Sequence, residues 1–327
     1  MVKSGKRRIA ILCYPGAAPG TIFSLRELLA AAAVVEESTN LAIDFVGIGN
    51  ALQCTFDGGV TTKLDALSTR YDATFIPPML VRSVEEVDER IARDHGLTEE
   101  VQKLLRRSKI ALGACSGVAL LAEAGILDNR KVTACWWLES WFRRRFPEID
   151  LDTSRMVTKS EDVWTAGAGI AYMHMALELL SHWYGTPVAS AISRLMLLDR
   201  SPGSQSPYAM PTTFPPAGDA LVEDAIRRIA ELVDTPLSVA ALSNELGVSV
   251  RTLNRRFKAS LGTAPLEAIH QAKLTHAKSL LETTNDPFEA ITASCGFEDP
   301  ATFHKLFSRK VGISPSAYRD RFAAPRY

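Results

Sequence analysis

A segment of about 50 residues occurs twice near the C-terminus, and this duplication constrains the fold more than any other feature of the chain. Ala241-Leu242-Ser243-Asn244-Glu245-Leu246-Gly247-Val248 returns as Ala290-Ile291-Thr292-Ala293-Ser294-Cys295-Gly296-Phe297. Thr252, Leu253 and Phe257 return as Thr302, Phe303 and Phe307, and Gly262 and Pro265 return as Gly312 and Pro315. The second copy is one residue longer in its turn, so the offset moves from 49 to 50. Each copy predicts a short helix, a glycine turn and a second helix with a polar cap and a basic exposed face. That is the pattern of a helix-turn-helix, whose second helix enters the DNA major groove. An all-helical dimerisation or solenoid unit with a solvated basic face is the plainer alternative. One copy would leave it open; duplication at this spacing disfavours it.

The predicted caps and faces are specific. Ser238 caps a helix running to about Glu245, Gly247 supplies the turn, and Ser249 caps the next helix from Val250 to about Ser260. Leu253 and Phe257 fall four apart and face inward, leaving Arg251, Thr252, Asn254 and Arg255 to read base edges. Arg256 and Lys258 are placed for phosphates. In the second copy Asp299 caps and Pro300 takes the first helical position, where its missing N–H costs nothing. Phe303 and Phe307 face inward, Ala301, Thr302, His304 and Lys305 face the groove, and Arg309 and Lys310 lie near phosphate. From about 220 to 325 the chain resembles the C-terminal domain of the AraC family of bacterial transcriptional regulators, most closely at Gly296-Phe297, Phe303, Phe307, Gly312, Pro315 and Tyr318-Arg319. The resemblance implies seven helices, two recognition helices about one DNA turn apart, a homodimer or looser oligomer, and gene activation under an attached sensor, with RNA polymerase a partner of an activator.

Global charge adds nothing: the chain carries 37 Lys and Arg against 37 Asp and Glu. What matters is clustering, and Arg251 to Lys258 holds four basic residues and no acid. Five scattered cysteines, with no CxxC pair and no ligand-like histidine spacing, argue for a reducing compartment and against a disulfide framework, a metal site or a cofactor built on them. The apolar run Ile9-Ala10-Ile11-Leu12 is too short for a signal peptide or a membrane span, so a cytoplasmic protein without membrane contact is expected.

Residues 8 to about 198 alternate β-rich and helical runs, which predicts a mostly parallel sheet sandwiched by helices. Expected strands are Arg8–Tyr14, Ala42–Ile48, Ala73–Pro77, Lys109–Ala114, Lys131–Ala134 and Arg155–Thr158. Expected helices include Ser24–Glu36, Ser83–Arg106, Gly117–Ala124, Leu138–Phe146 and one or two over 170–198. Five prolines among Ser, Gly and Thr mark a linker. The expected domains are therefore 1–200 (α/β sensor), 201–218 (linker) and 219–327 (all-α, two helix-turn-helix motifs).

Inside the α/β part, an apolar strand runs into Gly113-Ala114-Cys115-Ser116-Gly117 and then a helix. Small flanking residues let the backbone turn sharply and present the cysteine at a helix N-terminus, where N–H groups lower a thiol pKa. A buried small cysteine in an ordinary βα turn is the plain alternative. With Ala122–Asp128 and Thr133-Ala134-Cys135-Trp136, the region resembles the class I glutamine-amidotransferase-like superfamily, PfpI-like branch. Active members of that branch use a histidine partner, often an acidic residue near the first strand, and a Pro-Gly-Gly turn whose N–H groups hold an oxyanion. Here the turn is Pro77-Pro78-Met79, Ser116 follows the cysteine, Thr133-Ala134-Cys135-Trp136 stands where relatives commonly show Thr-Thr-His-Trp, and Thr21 occupies the acidic position. His174 and His182 fall in a late helical stretch. A nucleophile without a base or an oxyanion hole does little. The expectation is thus no enzyme: Cys115 is a vestigial elbow, and the pocket survives to bind an effector through Cys115, Ser116, Cys135, Trp136, Trp137 and Thr21. Tyr14, Phe23 and Trp164 could complete an aromatic wall suited to an amine, against the plain reading that the tryptophans are core. The resemblance implies amino acids, betaines or carnitine-like compounds as effectors. A cysteine hydrolase or amidase with an appended DNA-binding domain, and a thiol redox sensor using Cys115 and Cys135, are the alternatives.

Overall fold

The computed structural model describes residues 6–37, 39–49, 51–93, 96–199, 203–209 and 218–323. They form two compact units, the first ending at Gln205 and the second beginning at Ser206. Of the expected linker, residues 201–202 and 210–217 lie outside the described residues.

The first unit runs β1 (Arg7–Leu12), α1 (Pro19–Val35), β2 (Leu41–Val46), β3 (Gln53–Thr55), β4 (Thr61–Lys63), β5 (Ala73–Ile76), α2 (Val84–Arg93), α3 (Leu97–Leu105), β6 (Ala111–Ala114), α4 (Val118–Glu123), β7 (Lys131–Val132), α5 (Glu139–Arg145), β8 (Asp150–Leu151), β9 (Val157–Ser160), β10 (Val163–Ala166), α6 (Ala171–Tyr184) and α7 (Thr186–Leu195). Six strands form one sheet in the order β2-β1-β5-β6-β10-β9. All are parallel except β9, which pairs antiparallel with β10 at the edge. The central strands β5, β6 and β10 are buried along their whole length, as expected of parallel strands covered on both faces. Helices α1, α6 and α7 pack together as one layer, while α3 and α4 pack together over β5 and β6. The chain leaves β1 for β2 on one side and for β5 on the other, so the strand order reverses there. Crevices at the C-terminal ends of strands near such a reversal are where ligands of doubly wound sheets bind.

Several elements depart from expectation for local reasons. Helix α1 starts at Pro19, five residues before Ser24, because proline at the first helical position is pre-organised rather than disruptive. The expected helix over 83–106 is two helices, α2 and α3. The expected strand Lys131–Ala134 shrinks to β7, which pairs with β8 outside the main sheet. The strands beside β6 are β5 and β10, and β10 was not foreseen.

The second unit contains a short 3-10 turn (Ser206–Tyr208) and then α8 (Ala220–Glu231), α9 (Val239–Glu245), α10 (Val250–Leu261), α11 (Pro265–Thr283), α12 (Phe288–Ser294), α13 (Pro300–Val311) and α14 (Pro315–Phe322). Its interior consists of two clusters. One gathers Val222, Ile229, Leu242, Leu253, Phe257 and Leu261, the other Leu281, Ile291, Phe303, Leu306, Phe307 and Tyr318. Helix α11 serves both: Ala268 and Ile269 face the first, Leu274, Ala277 and Leu281 the second. Between them Lys273, 3% exposed, donates to the carbonyls of Val233, Thr235 and Cys295 at 3.0, 2.7 and 2.7 Å. Those carbonyls belong to the entry into the first helix-turn-helix and the turn of the second, so one ammonium braces both halves.

Candidate functional site

The recognition helices are built by their caps. Ser238 Oγ accepts from the N–H of Ala241, Ser249 Oγ from Thr252, and Asp299 Oδ1 and Oδ2 from Ala301 and Thr302. Each such cap is worth about 1 kcal/mol. Helices α10 and α13 both end on a left-handed glycine, Gly262 and Gly312. Leu253, Phe257, Phe303 and Phe307 are fully buried. On α10, Arg251, Asn254, Arg255, Arg256 and Lys258 are exposed and Thr252 is half-buried. On α13, Ala301, Thr302, His304, Lys305 and Arg309 are exposed. Each helix thus presents one polar, mostly basic face on a buried apolar one.

Within those faces the side chains are not equivalent. Arg256 is paired with Asp219 at 2.6 Å, the carboxylate that also caps α8. Lys258 donates to the carbonyl of Gly262, Asn254 folds back onto Val250, and the Thr252 hydroxyl lies 2.9 Å from that of Ser249. His304 stands edge-on to Phe288, and Lys310 pairs with Glu267. A phosphate must compete with Asp219 for Arg256.

In the first unit the elbow forms where the sequence places it. Cys115 follows β6 with φ of 53°, a left-handed backbone uncommon for a residue with a side chain. The glycines on either side are needed for close packing. A Cβ on Gly113 would lie 2.5 Å from Leu121 Cδ1, and one on Gly117 2.3 Å from the Pro77 carbonyl oxygen. The loops after β7 and β10 supply partners to the sulfur. Its hydrogen-bond partners are the Cys135 thiol, the N–H and side chain of Ser116, and the Gly169 N–H. Led by the Cys135 hydrogen bond, they hold the Cys115 thiol below the ordinary range despite burial. Burial pushes the Cys135 thiol well up, so it remains protonated and serves as donor.

The turn opposite has no donor left for an oxyanion. Pro77 and Pro78 have no N–H. The N–H of Met79 is taken by Ser116 Oγ at 3.0 Å, and that of Leu80 by the carbonyl of Gly16 at 2.8 Å. The Ser116 hydroxyl donates back to the Met79 carbonyl at 3.0 Å, locking elbow to turn. His174 interacts with the backbone of Asp199, and His182 lies edge-on to Trp164, 5.6 Å between ring centres.

Of the expected ligand-binding residues, the structure brings together Cys115, Ser116 and Cys135. Trp136 and Trp137 follow Cys135 in a 3-10 turn, both half-buried. Thr21 lies in the first turn of α1, its carbonyl accepting from Ser24. The wider aromatic wall does not assemble. Phe23 packs on Phe45 and Phe56, beside the β2 edge, while Trp164 is covered by Lys159 and His182 at the β9 edge. Tyr14 is buried and donates to the carbonyl of Pro77. Sequence reasoning missed Gly169 and Gln205. Gly167-Ala168-Gly169, directly after the apolar run Val163–Ala166, was the available signal for the first.

Among the described residues no helix is long and apolar enough to cross a membrane, and no group of three or more His, Cys, Asp or Glu is placed to hold a metal ion. A family described as "Helix-turn-helix domain" matches residues 242–321. The chain is 26% identical over 274 residues to the HTH-type transcriptional regulator CdhR of Pseudomonas aeruginosa, covering 82% of this chain and 80% of the relative. It is 28% identical over 223 residues to the HTH-type transcriptional regulator GlxA of Rhizobium meliloti, covering 67% and 68%. A crystal structure of a protein from Vibrio parahaemolyticus superposes with a TM-score of 0.50 at 21% identity, over 59% of this chain and 100% of that one, a likeness of fold. With two capped, basic-faced helices on a duplicated unit and residues 242–321 matching a helix-turn-helix domain, the chain carries an AraC-type DNA-binding domain and is similar to HTH-type transcriptional regulators.

Proposed function

We propose that this regulator is controlled by a small-molecule effector bound at the Cys115 elbow, in a domain that no longer performs hydrolysis. The observation that carries the reading is the set of donors around Cys115. Where a cysteine hydrolase needs a proton acceptor, this site has the Cys135 thiol, which gives its hydrogen bond to the nucleophile. A sulfur held toward its anionic form, hydrogen-bonded by the cysteine that precedes half-buried Trp136 and Trp137, suits the ammonium end of a small amino acid or quaternary amine. Domains 1–200 and 219–327 act as sensor and DNA reader, in a cytoplasmic homodimer that activates transcription with RNA polymerase. An effector alters operator affinity only by preferring one arrangement of that dimer.

Genome-wide binding of the tagged protein, then gel shifts on the strongest site with a panel of amino acids and quaternary amines, tests the reading. A discrete bipartite site whose affinity one panel member changes supports it, provided Cys115→Trp, which fills the elbow, abolishes the response. A specific site indifferent to every member overturns the effector class. Hydrolysis lost in Cys115→Ala overturns the claim of inactivity. A second reading, oxidation of the thiol pair, is favoured by the Cys135-to-Cys115 hydrogen bond. It predicts loss of two hydrogens on peroxide treatment of the wild type and none in Cys135→Ser.

A further inference from the structure

The residue that ends the first unit is a buried glutamine, 1% exposed, with every polar atom of its side chain engaged. Gln205 Oε1 accepts from the Ala168 N–H at 3.0 Å. Its Nε2 donates toward the Ala134 carbonyl at 2.9 Å, the Arg155 carbonyl at 2.9 Å and the Thr133 hydroxyl at 3.1 Å. The orientation of the amide is fixed by its partners, since Ala168 can only donate and the two carbonyls can only accept. The backbone follows: Gln205 N–H donates to the Ser154 carbonyl at 3.0 Å, the Ser204 hydroxyl donates to the same carbonyl, and Ser204 bridges Arg155. Space for the side chain exists because residue 167 is glycine; a Cβ there would lie 2.4 Å from both amide heteroatoms.

The loops this amide joins are the two that supply the elbow's donors. Ala134 precedes Cys135, whose thiol donates to Cys115; Ala168 precedes Gly169, whose N–H donates to Cys115. The groups that hold Gln205 thus sit one residue before each of the two donors to Cys115. The next residue, Ser206, opens the unit that carries the recognition helices. We propose that Gln205 is the positioning residue that reads the state of the Cys115 pocket and passes it into the chain leading to the DNA-binding unit. The proposal rests on the elbow being the sensing site, as argued above.

The test uses the full chain without DNA, so its outcome is independent of operator identity. Iodoacetamide at Cys115 is the probe, with a single adduct confirmed by mass and Cys115→Ser as the unlabelled control. A carbamidomethyl group on that sulfur displaces the Gly169 and Cys135 hydrogen bonds. Amide hydrogen exchange is then followed in peptides containing Ser204 and Gln205. The expected result is roughly tenfold faster exchange there on labelling the wild type. In Gln205→Leu and Gln205→Glu, exchange is already fast and indifferent to the label; the carboxylate of the second faces the Ala134 and Arg155 carbonyls and cannot donate. Unchanged exchange at these amides in labelled wild type overturns the proposal, and that comparison needs no variant to fold. If exchange responds while no effector shifts operator affinity, the reading of the effector class fails and the role of Gln205 stands.

Discussion

Replacing Lys273 by Met tests how the two halves of the DNA-binding unit are held in register. The ammonium is buried, donates to three carbonyls and lies 5.7 Å from the centre of the Phe297 ring. Charged hydrogen bonds contribute about 1.5–3 kcal/mol each, so three are worth roughly 4.5 kcal/mol at the low end. Against that stands the cost of burying the charge, which also lowers the Lys273 pKa. Methionine fills most of the same volume and recovers about 1–2 kcal/mol of that cost as apolar burial. The net expectation is a loss of about 3 kcal/mol, confined to the second unit. The sequence supplies the means to see this. All five tryptophans, Trp136, Trp137, Trp141, Trp164 and Trp183, lie in the first unit. Urea unfolding followed by tryptophan fluorescence therefore reports the first unit, and far-UV circular dichroism reports both. In Lys273→Met the fluorescence transition should stay in place while the helical transition of the second unit moves to lower urea. Operator affinity should fall with it, because both recognition helices lose a shared support. A second-unit transition unmoved within about 0.5 kcal/mol would refute the brace, since surface-like substitutions stay within that limit.

Three further outcomes are expected. Arg255→Ala and Lys305→Ala should each cost about 1–3 kcal/mol of operator binding and relax base preference at one position, whereas Arg256→Ala should weaken binding without changing preference; equal base preference in all three by competitive gel shift would show the faces are misassigned. Cys135→Ala removes the leading donor to Cys115, so the pH midpoint of Cys115 alkylation should move upward from its depressed value; an unmoved midpoint would place the stabilisation elsewhere. Burial brings Lys278 down to about 8, against carbonyls of Ser206, Pro207 and Ala209. Above that pH the folded lysine releases its proton while the unfolded one keeps it, so stability relative to Lys278→Met should rise from about pH 8 toward the ordinary lysine range and stay flat below; a fall across that window would contradict the assignment.

Local chemistry was legible wherever it acted over a few residues. The caps Ser238, Ser249 and Asp299 and the inward pair Phe303 and Phe307 follow from spacing alone, and all sit as expected. The elbow was legible because Gly113 and Gly117 flank Cys115 at fixed positions. What spacing could not give was which distant loops meet the sulfur. Cys135 reaches it although its strand lies outside the main sheet, and Trp164 stays away although it lies on a strand beside β6. Gln205 lay hidden in a stretch whose proline and serine content spoke only of a linker. Strand β10 escaped because Val163–Ala166 is four residues long and follows a turn at Glu161 with φ of 53°.

Helix α11 has a consequence for how this protein can change its targets. It runs unbroken for 19 residues and carries core residues of both halves. An α-helix advances about 1.5 Å and turns about 100° per residue, so adding one residue to α11 would swing one half of the unit by about 100° relative to the other around the axis of α11. Seven added residues would nearly restore the facing but push the halves some 10 Å apart. No small insertion can therefore stretch the operator by a single base pair. With α10 and α13 as the proposed DNA readers, new targets would come from side-chain substitutions on those two helices, with the spacing between the two sub-sites inherited unchanged.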